Sequence, residues 1–220
     1  NYGDTKSYYF TPDLGNVVQS ITLDGVLLTS STSPTLAAAI LGITFSSISA
    51  NHTISVIFGT QQFTLTYRSA GNGSVSGNND QLVNYGLNGE TVTAVPATGY
   101  HFVNWSDGVL TASRQEIDVR ANDGATANFA INTFTITVVA PTHGGISPTT
   151  STINYGGSQR FTFTPSTGYH LATVTVSGSS LTPSQVQSAA SSGYNFSYVT
   201  QDETITATYE LNVYTITYVP

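Results

Sequence analysis

Asn84-Tyr85-Gly86 returns as Asn154-Tyr155-Gly156 and opens the chain as Asn1-Tyr2-Gly3, each time ahead of an alternating run and then a proline. Repetition at a long, slightly variable period means an array of similar small domains. It outranks every local motif, because a residue that performs chemistry seldom needs three copies whereas a building block does. Aligned on the tripeptide, other positions fall into step. Phe10-Thr11-Pro12, Val95-Pro96 and Phe163-Thr164-Pro165 follow it, and beyond them Gly15, Gly99-Tyr100-His101 and Gly168-Tyr169-His170. The unit closes on Thr53-Ile54-Ser55-Val56-Ile57-Phe58, on Thr126-Ala127-Asn128-Phe129 and on Thr204-Ile205-Thr206-Ala207-Thr208-Tyr209.

Each closing aromatic is followed at one constant offset by another, Phe58 by Phe63, Phe129 by Phe134 and Tyr209 by Tyr214. The second aromatic begins Phe63-Thr64-Leu65-Thr66-Tyr67, Phe134-Thr135-Ile136-Thr137-Val138 or Tyr214-Thr215-Ile216-Thr217-Tyr218, alternating apolar and hydroxyl residues. That period of two marks a strand with one buried and one wet face. Gly71-Asn72-Gly73-Ser74 and His143-Gly144-Gly145 then read as hairpin turns whose glycines supply positive φ. The frame divides the chain into residues 1–62, a module without its opening strand; 63–131 and 132–212, two whole modules; and 213–220, an opening strand without its module. Such a slice implies a piece of a longer protein or a subunit that lends its last strand to a neighbour.

Composition narrows the function. Apolar residues make up 39% and charged ones 8%, with 13 Tyr and 10 Phe in strand-like settings, which is unlike a disordered chain. A net charge of −7, with Lys6 and four scattered arginines, offers no cluster of cations for a phosphate backbone, so nucleic acid is excluded as a partner. With no Cys there are no disulfides, no thiolate zinc sites and no Cys nucleophile. No apolar run is long enough to cross a bilayer, so membrane insertion of this segment is not expected. Low charge, abundant Ser, Thr and Asn, and no oxidisable sulfur suit a protein that works outside the cell.

Two modules carry a helix signal before their last strands. Ser33-Pro34-Thr35-Leu36-Ala37-Ala38-Ala39-Ile40-Leu41-Gly42 offers a capping Ser, a Pro in the first turn, helix formers and a terminating Gly, and Thr182-Pro183 to Ala190 with Gly193 beyond repeats the design. The middle module lacks the Pro; Arg114 to Val119 alternates instead, which predicts a hairpin or loop.

Taken together, these segments resemble the divergent internalin-B-type B-repeat modules that occur in tandem in bacterial and some archaeal surface proteins. Gly99-Tyr100-His101-Phe102-Val103-Asn104-Trp105-Ser106-Asp107-Gly108 is the nearest match to that family's Gly-Tyr-x-Phe-x-x-Trp segment. The resemblance implies a small β-rich module, β-grasp-like in its better-known members; with the helix signals above, the chain reads as mainly β, in small tandem modules, β-grasp-like or β-sandwich-like, with short helices inserted in the first and third. It implies a stalk, spacer or adhesive role and no catalytic residues. The first and third modules lack the Trp, with Val18 or Ala172-Thr173-Val174 near its place.

Candidate sites weigh against catalysis. His101 and His170 recur after Gly-Tyr but show no metal-ligand spacing, and a role in a turn or partly buried is expected of them and of His52 and His143. Asp107, Asp118 and Asp123 form no calcium loop and read as solvated acids. No paired carboxylates recur and no serine elbow is present. The reading is therefore not an enzyme, with no catalytic residue, no metal site and no cofactor. Sequons at Asn51, Asn72, Asn104 and Asn195 permit glycosylation without predicting it. Among aromatics expected to be exposed, Tyr8, Tyr9, Trp105, Tyr194 and Tyr198, Trp105 is the candidate ligand contact.

The function expected is a structural repeat segment of an extracellular cell-surface stalk or filament, assembling end to end. Its partners are copies of itself, head to tail, or further repeats of the same chain. Tyr214, Ile216 and Tyr218 form the assembly strand, with Ile216 entering a neighbouring core as Leu65 and Ile136 enter theirs. Short linkers, Gly59 to Gln62, Ala130 to Thr133 and Glu210 to Val213, are expected to fix the angle between modules. The alternative is an adhesin that binds a glycan or surface protein through exposed aromatics.

Overall fold

The computed structural model describes residues 1–28 and 43–219. The first repeat holds β1 (Lys6–Tyr8), β2 (Asn16–Leu23), β3 (Val26–Leu27), β4 (Ile43–Phe45) and β5 (Ile54–Thr60). The second holds β6 (Gln62–Ser69), β7 (Gly73–Ser76), β8 (Asp80–Asn84), β9 (Val92–Pro96), β10 (Tyr100–Trp105), β11 (Ser113–Arg114) and β12 (Asp123–Ile131). The third holds β13 (Thr133–Val138), β14 (Gly144–Ser147), β15 (Thr150–Asn154), β16 (Gln159–Pro165), β17 (Tyr169–Val176), β18 (Ser179–Ser180), α1 (Pro183–Ser192), β19 (Tyr194–Phe196) and β20 (Glu203–Leu211). The protein is mainly β, as its alternation requires.

Each whole repeat has two sheets. In the third, the order β15-β13-β20-β17-β18 faces β14-β16-β19; in the second, β10-β12-β6-β8 is accompanied by β11-β9-β7. Opening and closing strands lie side by side and parallel, β13 on β20 and β6 on β12. The next partner is antiparallel in both, β15 on β13 and β8 on β6. The first repeat shows the same plan in part, with β3-β2-β5 in one sheet and β1-β4 in the other. Pairing of β2 with β5 skips a residue at Gln19, and pairing of β17 with β20 skips one at Ala172, the equivalent position. A bulge at one place in two copies is a feature of the design rather than an accident.

Alternation decides the core. Ile136 and Ile205 from the larger sheet of the third repeat meet Phe161, Phe163 and Phe196 from the smaller one. Burying each such side chain stabilises the fold by about 2–3 kcal/mol. The helix α1 adds Val186 and Ala189 to this core. Its start follows the predicted signal: Gln185 Oε1 accepts the Thr182 N–H at 2.9 Å, and Pro183 opens the first turn. The helix predicted over Ser33 to Gly42 lies outside the described residues. In the second repeat, β11 is a two-residue strand on β9 and the rest of Arg114 to Val119 is loop.

The chain forms two compact units, residues 1–69 with 74–95 and 104–127, and residues 70–73 with 96–103 and 128–220. The second repeat contributes to both.

Candidate functional site

The recurring Asn-Tyr-Gly and Gly-Tyr-His segments build one local arrangement, formed once in each compact unit. Gly15 leads into β2, and Tyr85 follows β8. The linker residue between them, Gln61, donates its N–H to the Gly15 carbonyl at 2.8 Å and accepts the Tyr85 N–H at 2.8 Å. Asn132 does the same between Gly99 and Tyr155, both bonds at 2.8 Å. The tyrosine ring lies close against the glycine. A Cβ on Gly15 would fall 2.6 Å from Tyr85 Cδ1, and one on Gly99 2.3 Å from Tyr155 Cδ1, so only hydrogen fits there. Both glycines also have positive φ, +80° and +82°. These two arrangements join the first repeat to the second and the second to the third.

One bond of the joint recurs at Gly168. Asn212 donates its N–H to the Gly168 carbonyl at 2.8 Å, yet nothing lies within 4 Å of where a Gly168 Cβ would stand. At the other end, Tyr2 is 89% exposed. The histidines belong to the joints: His101 Nδ1 sits 2.8 Å from Asn132 Oδ1, and His170 Nδ1 3.1 Å from Asn212 Oδ1. They stand exposed on β10 and β17 rather than in turns or partly buried, because their side chains point to the linker and not to the core.

The opening strand is held by three repeated contacts. Leu65 and Ile136 are 1% and 0% exposed in their cores. The Thr64 N–H donates to Asn122 Oδ1 and the Thr135 N–H to Asp202 Oδ1, each at 2.8 Å. After the strand, the glycine turn lies on the closing aromatic: a Cβ on Gly73 would fall 2.6 Å from Phe129, and one on Gly144 2.4 Å from Tyr209. Neither of those glycines has positive φ; in the third repeat that conformation falls on His143, at +63°. The expectation that turn glycines serve φ thus holds at Gly71, at +102°, and is corrected at Gly73 and Gly144, which are small so that an aromatic ring can approach. Tyr209 also donates its hydroxyl to the Gly145 carbonyl at 2.6 Å, and burial pushes its phenol pKa up.

In the first repeat the equivalent groups are exposed among the described residues. Among the described residues β5 has a partner on one edge only, β2. Phe58, the counterpart of Tyr209, is 46% exposed. A groove of about 450 Å³ runs beside β5, lined by Tyr8, Phe10, Phe45, Ile48, Asn51 and Ile54 among others. Their counterparts Phe161, Phe163, Phe196, Val199 and Ile205 enclose Ile136 in the third repeat. Conversely Tyr214, Ile216 and Tyr218 have the residue pattern of an opening strand but lie 82%, 97% and 85% exposed, with no sheet partner among the described residues.

Trp105 is 0% exposed, which corrects the expectation of an exposed ring. It closes β10 on the core face, donates Nε1–H to the Thr111 carbonyl at 3.0 Å and meets Tyr67 edge-on at 6.0 Å. The Arg114 guanidinium stands 5.1 Å from the Trp105 ring and 5.5 Å from that of Tyr67. Arg114 pairs with Asp107 at 2.8 Å and with Glu116. Burial opposes its charge, but the carboxylates outweigh burial and raise its pKa. Asp107 is likewise disfavoured as an anion by burial, the largest single influence, but the Arg114 hydrogen bond and charge together with backbone donors overcome it and lower its pKa. Asp118 pairs with Arg120 at 3.0 Å, and Asp123 accepts the Gly124 N–H at 2.7 Å. Among the described residues no three His, Asp or Glu side chains stand together as a metal site, and no helix is long and apolar enough to cross a membrane.

The sequence profile of the divergent InlB B-repeat domain matches residues 63–133 and 134–213 in tandem. The chain belongs to this family. A comparison with curated proteins finds no match. Both B-repeats carry the parallel opening and closing strands, the glycine turn and the Asx acceptor. Residues 1–62 fall outside the matched segments but repeat the joint and the closing strand of a B-repeat. Across the three copies, Trp105 is replaced in register by Val174 and Ile21, all buried at 1% or less. Ile21, not Val18, therefore holds the Trp place; Val18 pairs with Phe58 as Leu171 does with Tyr209. The Asx acceptors escaped the sequence reading, although Asn51, Asn122 and Asp202 precede Phe58, Phe129 and Tyr209 by the same offset.

Proposed function

We propose that the chain is a structural segment of an extracellular cell-surface stalk or filament, in which B-repeats are joined end to end to span distance. The observation that supports this most is the recurrence of one joint: Gly15 with Tyr85 and Gly99 with Tyr155, each bridged by a linker residue through the same two hydrogen bonds. Recurring positions, the glycine ahead of β2 and of β10 and the tyrosine of the second and third Asn-Tyr-Gly, are spent on joining repeats, not on forming a cleft. Low charge and the absence of Cys suit an extracellular setting. The adhesin alternative rested on exposed aromatics, and its named contact, Trp105, is enclosed, so it is not developed.

The test is dimensional. Small-angle scattering of the chain, of a variant lacking residues 134–213 and of one with that repeat duplicated is expected to change the maximum dimension by one constant step. A maximum dimension that follows only the cube root of mass overturns the reading. Protease shaving of intact cells, which removes a surface stalk and spares an internal protein, tests the location.

A further inference from the structure

We propose that each whole B-repeat is a mechanical clamp: tension along the chain shears its parallel opening and closing strands instead of peeling them, so the repeat bears load as well as spanning distance. It rests on the end-to-end reading above, because a chain pulled along its length loads each repeat through its two linkers.

The topology sets the direction of the load. In the second repeat β6 enters after Gln61 and β12 leaves into Asn132; in the third β13 enters after Asn132 and β20 leaves into Asn212. The two strands of each pair are neighbours and point the same way. A pull that draws the start of one back and the end of the other forward slides them past each other along their own axis. The bonds of a parallel ladder cross between the strands at even spacing. Sliding stretches all of them at once, whereas a pull across the sheet opens them in turn.

Three features resist sliding. The first is the ladder itself, which runs from Leu65 opposite Asp123 to Ser69 opposite Ala127, and from Ile136 opposite Glu203 to Val138 opposite Ile205. The second is a rung added at its entry end. The Thr64 N–H donates to Asn122 Oδ1 and the Thr135 N–H to Asp202 Oδ1. Thr135 lies an even number of residues before Val139, whose N–H donates to the Ile205 carbonyl at 3.1 Å. Both N–H groups therefore face β20, and the Asx side chain continues the ladder toward the linker.

The third is anchorage. Each opening strand lies between two partners, β6 between β12 and β8 and β13 between β20 and β15. Its central residue, Leu65 or Ile136, is buried in the core. Withdrawing the strand breaks both ladders and drags an apolar side chain into water in one event. The parallel ladder covers five residues of β6 but three of β13, so the third repeat yields at the lower tension.

The chain has no cysteine, so handles attach only where one is introduced. With Thr60→Cys and Val213→Cys, optical tweezers pull along the chain through the second and third repeats. With Thr150→Cys and Ser179→Cys they pull the third repeat across its strands, because Thr150 stands opposite Thr137 and Ser179 opposite Val176, both near the level of the Val138 and Ile205 pair. All four side chains are exposed. Along the chain two sudden lengthenings are expected, the third repeat first, recognised by its longer release because it holds more residues. Its unfolding force is expected to be about threefold that of the cross-strand pull, since three rungs share the load in place of one. Asp202→Ala is expected to lower the along-chain force of the third repeat and to leave its cross-strand force unchanged, whereas general destabilisation lowers both. Equal forces in the two directions, a third repeat that outlasts the second, or an Asp202→Ala variant whose two forces do not separate overturns the clamp. None of these results touches the scattering test of the stalk, which reads length and not strength.

Discussion

Tyr85 lies so close across Gly15 that a methyl group on the glycine would stand 2.6 Å from its ring, and Tyr155 repeats the contact on Gly99. Gly168, their counterpart, has the same φ, +84° against +82° at Gly99, and no ring above it. The three glycines therefore separate the cost of backbone strain from the cost of a blocked joint.

Gly168→Ala is expected to destabilise the chain by about 1 kcal/mol, the strain of a left-handed alanine. Gly99→Ala carries that strain and a clash with Tyr155 besides, for a total of about 2–4 kcal/mol. Thermal unfolding of both variants checks the difference. Equal losses mean the tyrosine simply moves away and the joint is not a tight contact.

Gly144 needs no positive φ, so an alanine there tests packing alone. The Gly144→Ala variant is expected to lose about 1–3 kcal/mol by displacing the Tyr209 ring. Tyr209→Phe, which keeps the ring but removes the bond to Gly145, is expected to lose about 1 kcal/mol. Urea unfolding that finds Gly144→Ala neutral rejects the role assigned to this glycine.

Ile136 and Ile216 occupy the same place in the strand pattern with opposite surroundings, 0% against 97% exposed. Ile136→Ala is expected to cost about 2–5 kcal/mol, while Ile216→Ala in the dilute chain stays within about 0.5 kcal/mol of the parent. Urea unfolding of both variants checks the contrast, and equal losses contradict it.

Asp107 links acidity to stability. Burial raises its pKa most, but the Arg114 bond and charge together with backbone donors outweigh burial and hold the folded value below the ordinary 3.8, so the stabilisation is fully present above 3.8 and is lost as pH falls through the folded value. Denaturant midpoints measured from neutral pH downward are expected to fall steeply only below 3.8, and less steeply in Asp107→Asn. A parent and variant with parallel acid limbs contradict this assignment.

Much of this architecture is legible in the sequence because period-two alternation and burial are the same physical fact. Leu65, Ile136 and Ile205 fall inside as the pattern requires. The helix α1 is legible because Thr182, Pro183 and Gln185 mark its start locally. Trp105 was misread because an aromatic on a strand is equally at home on either face, and only its partners, Tyr67 and Arg114, decide. The joint was visible as recurring motifs but not as a contact, since Gly99 and Tyr155 are brought together only by the fold. The Asx acceptors were harder still, since Asn and Asp vary between copies while the oxygen they present does not.

A joint assembled from the same few residues wherever two repeats meet has an evolutionary consequence. Unequal recombination within the gene adds or deletes whole repeats without asking any surface to be redesigned, so reach becomes a trait that selection can lengthen or shorten in single steps while every core stays as it was.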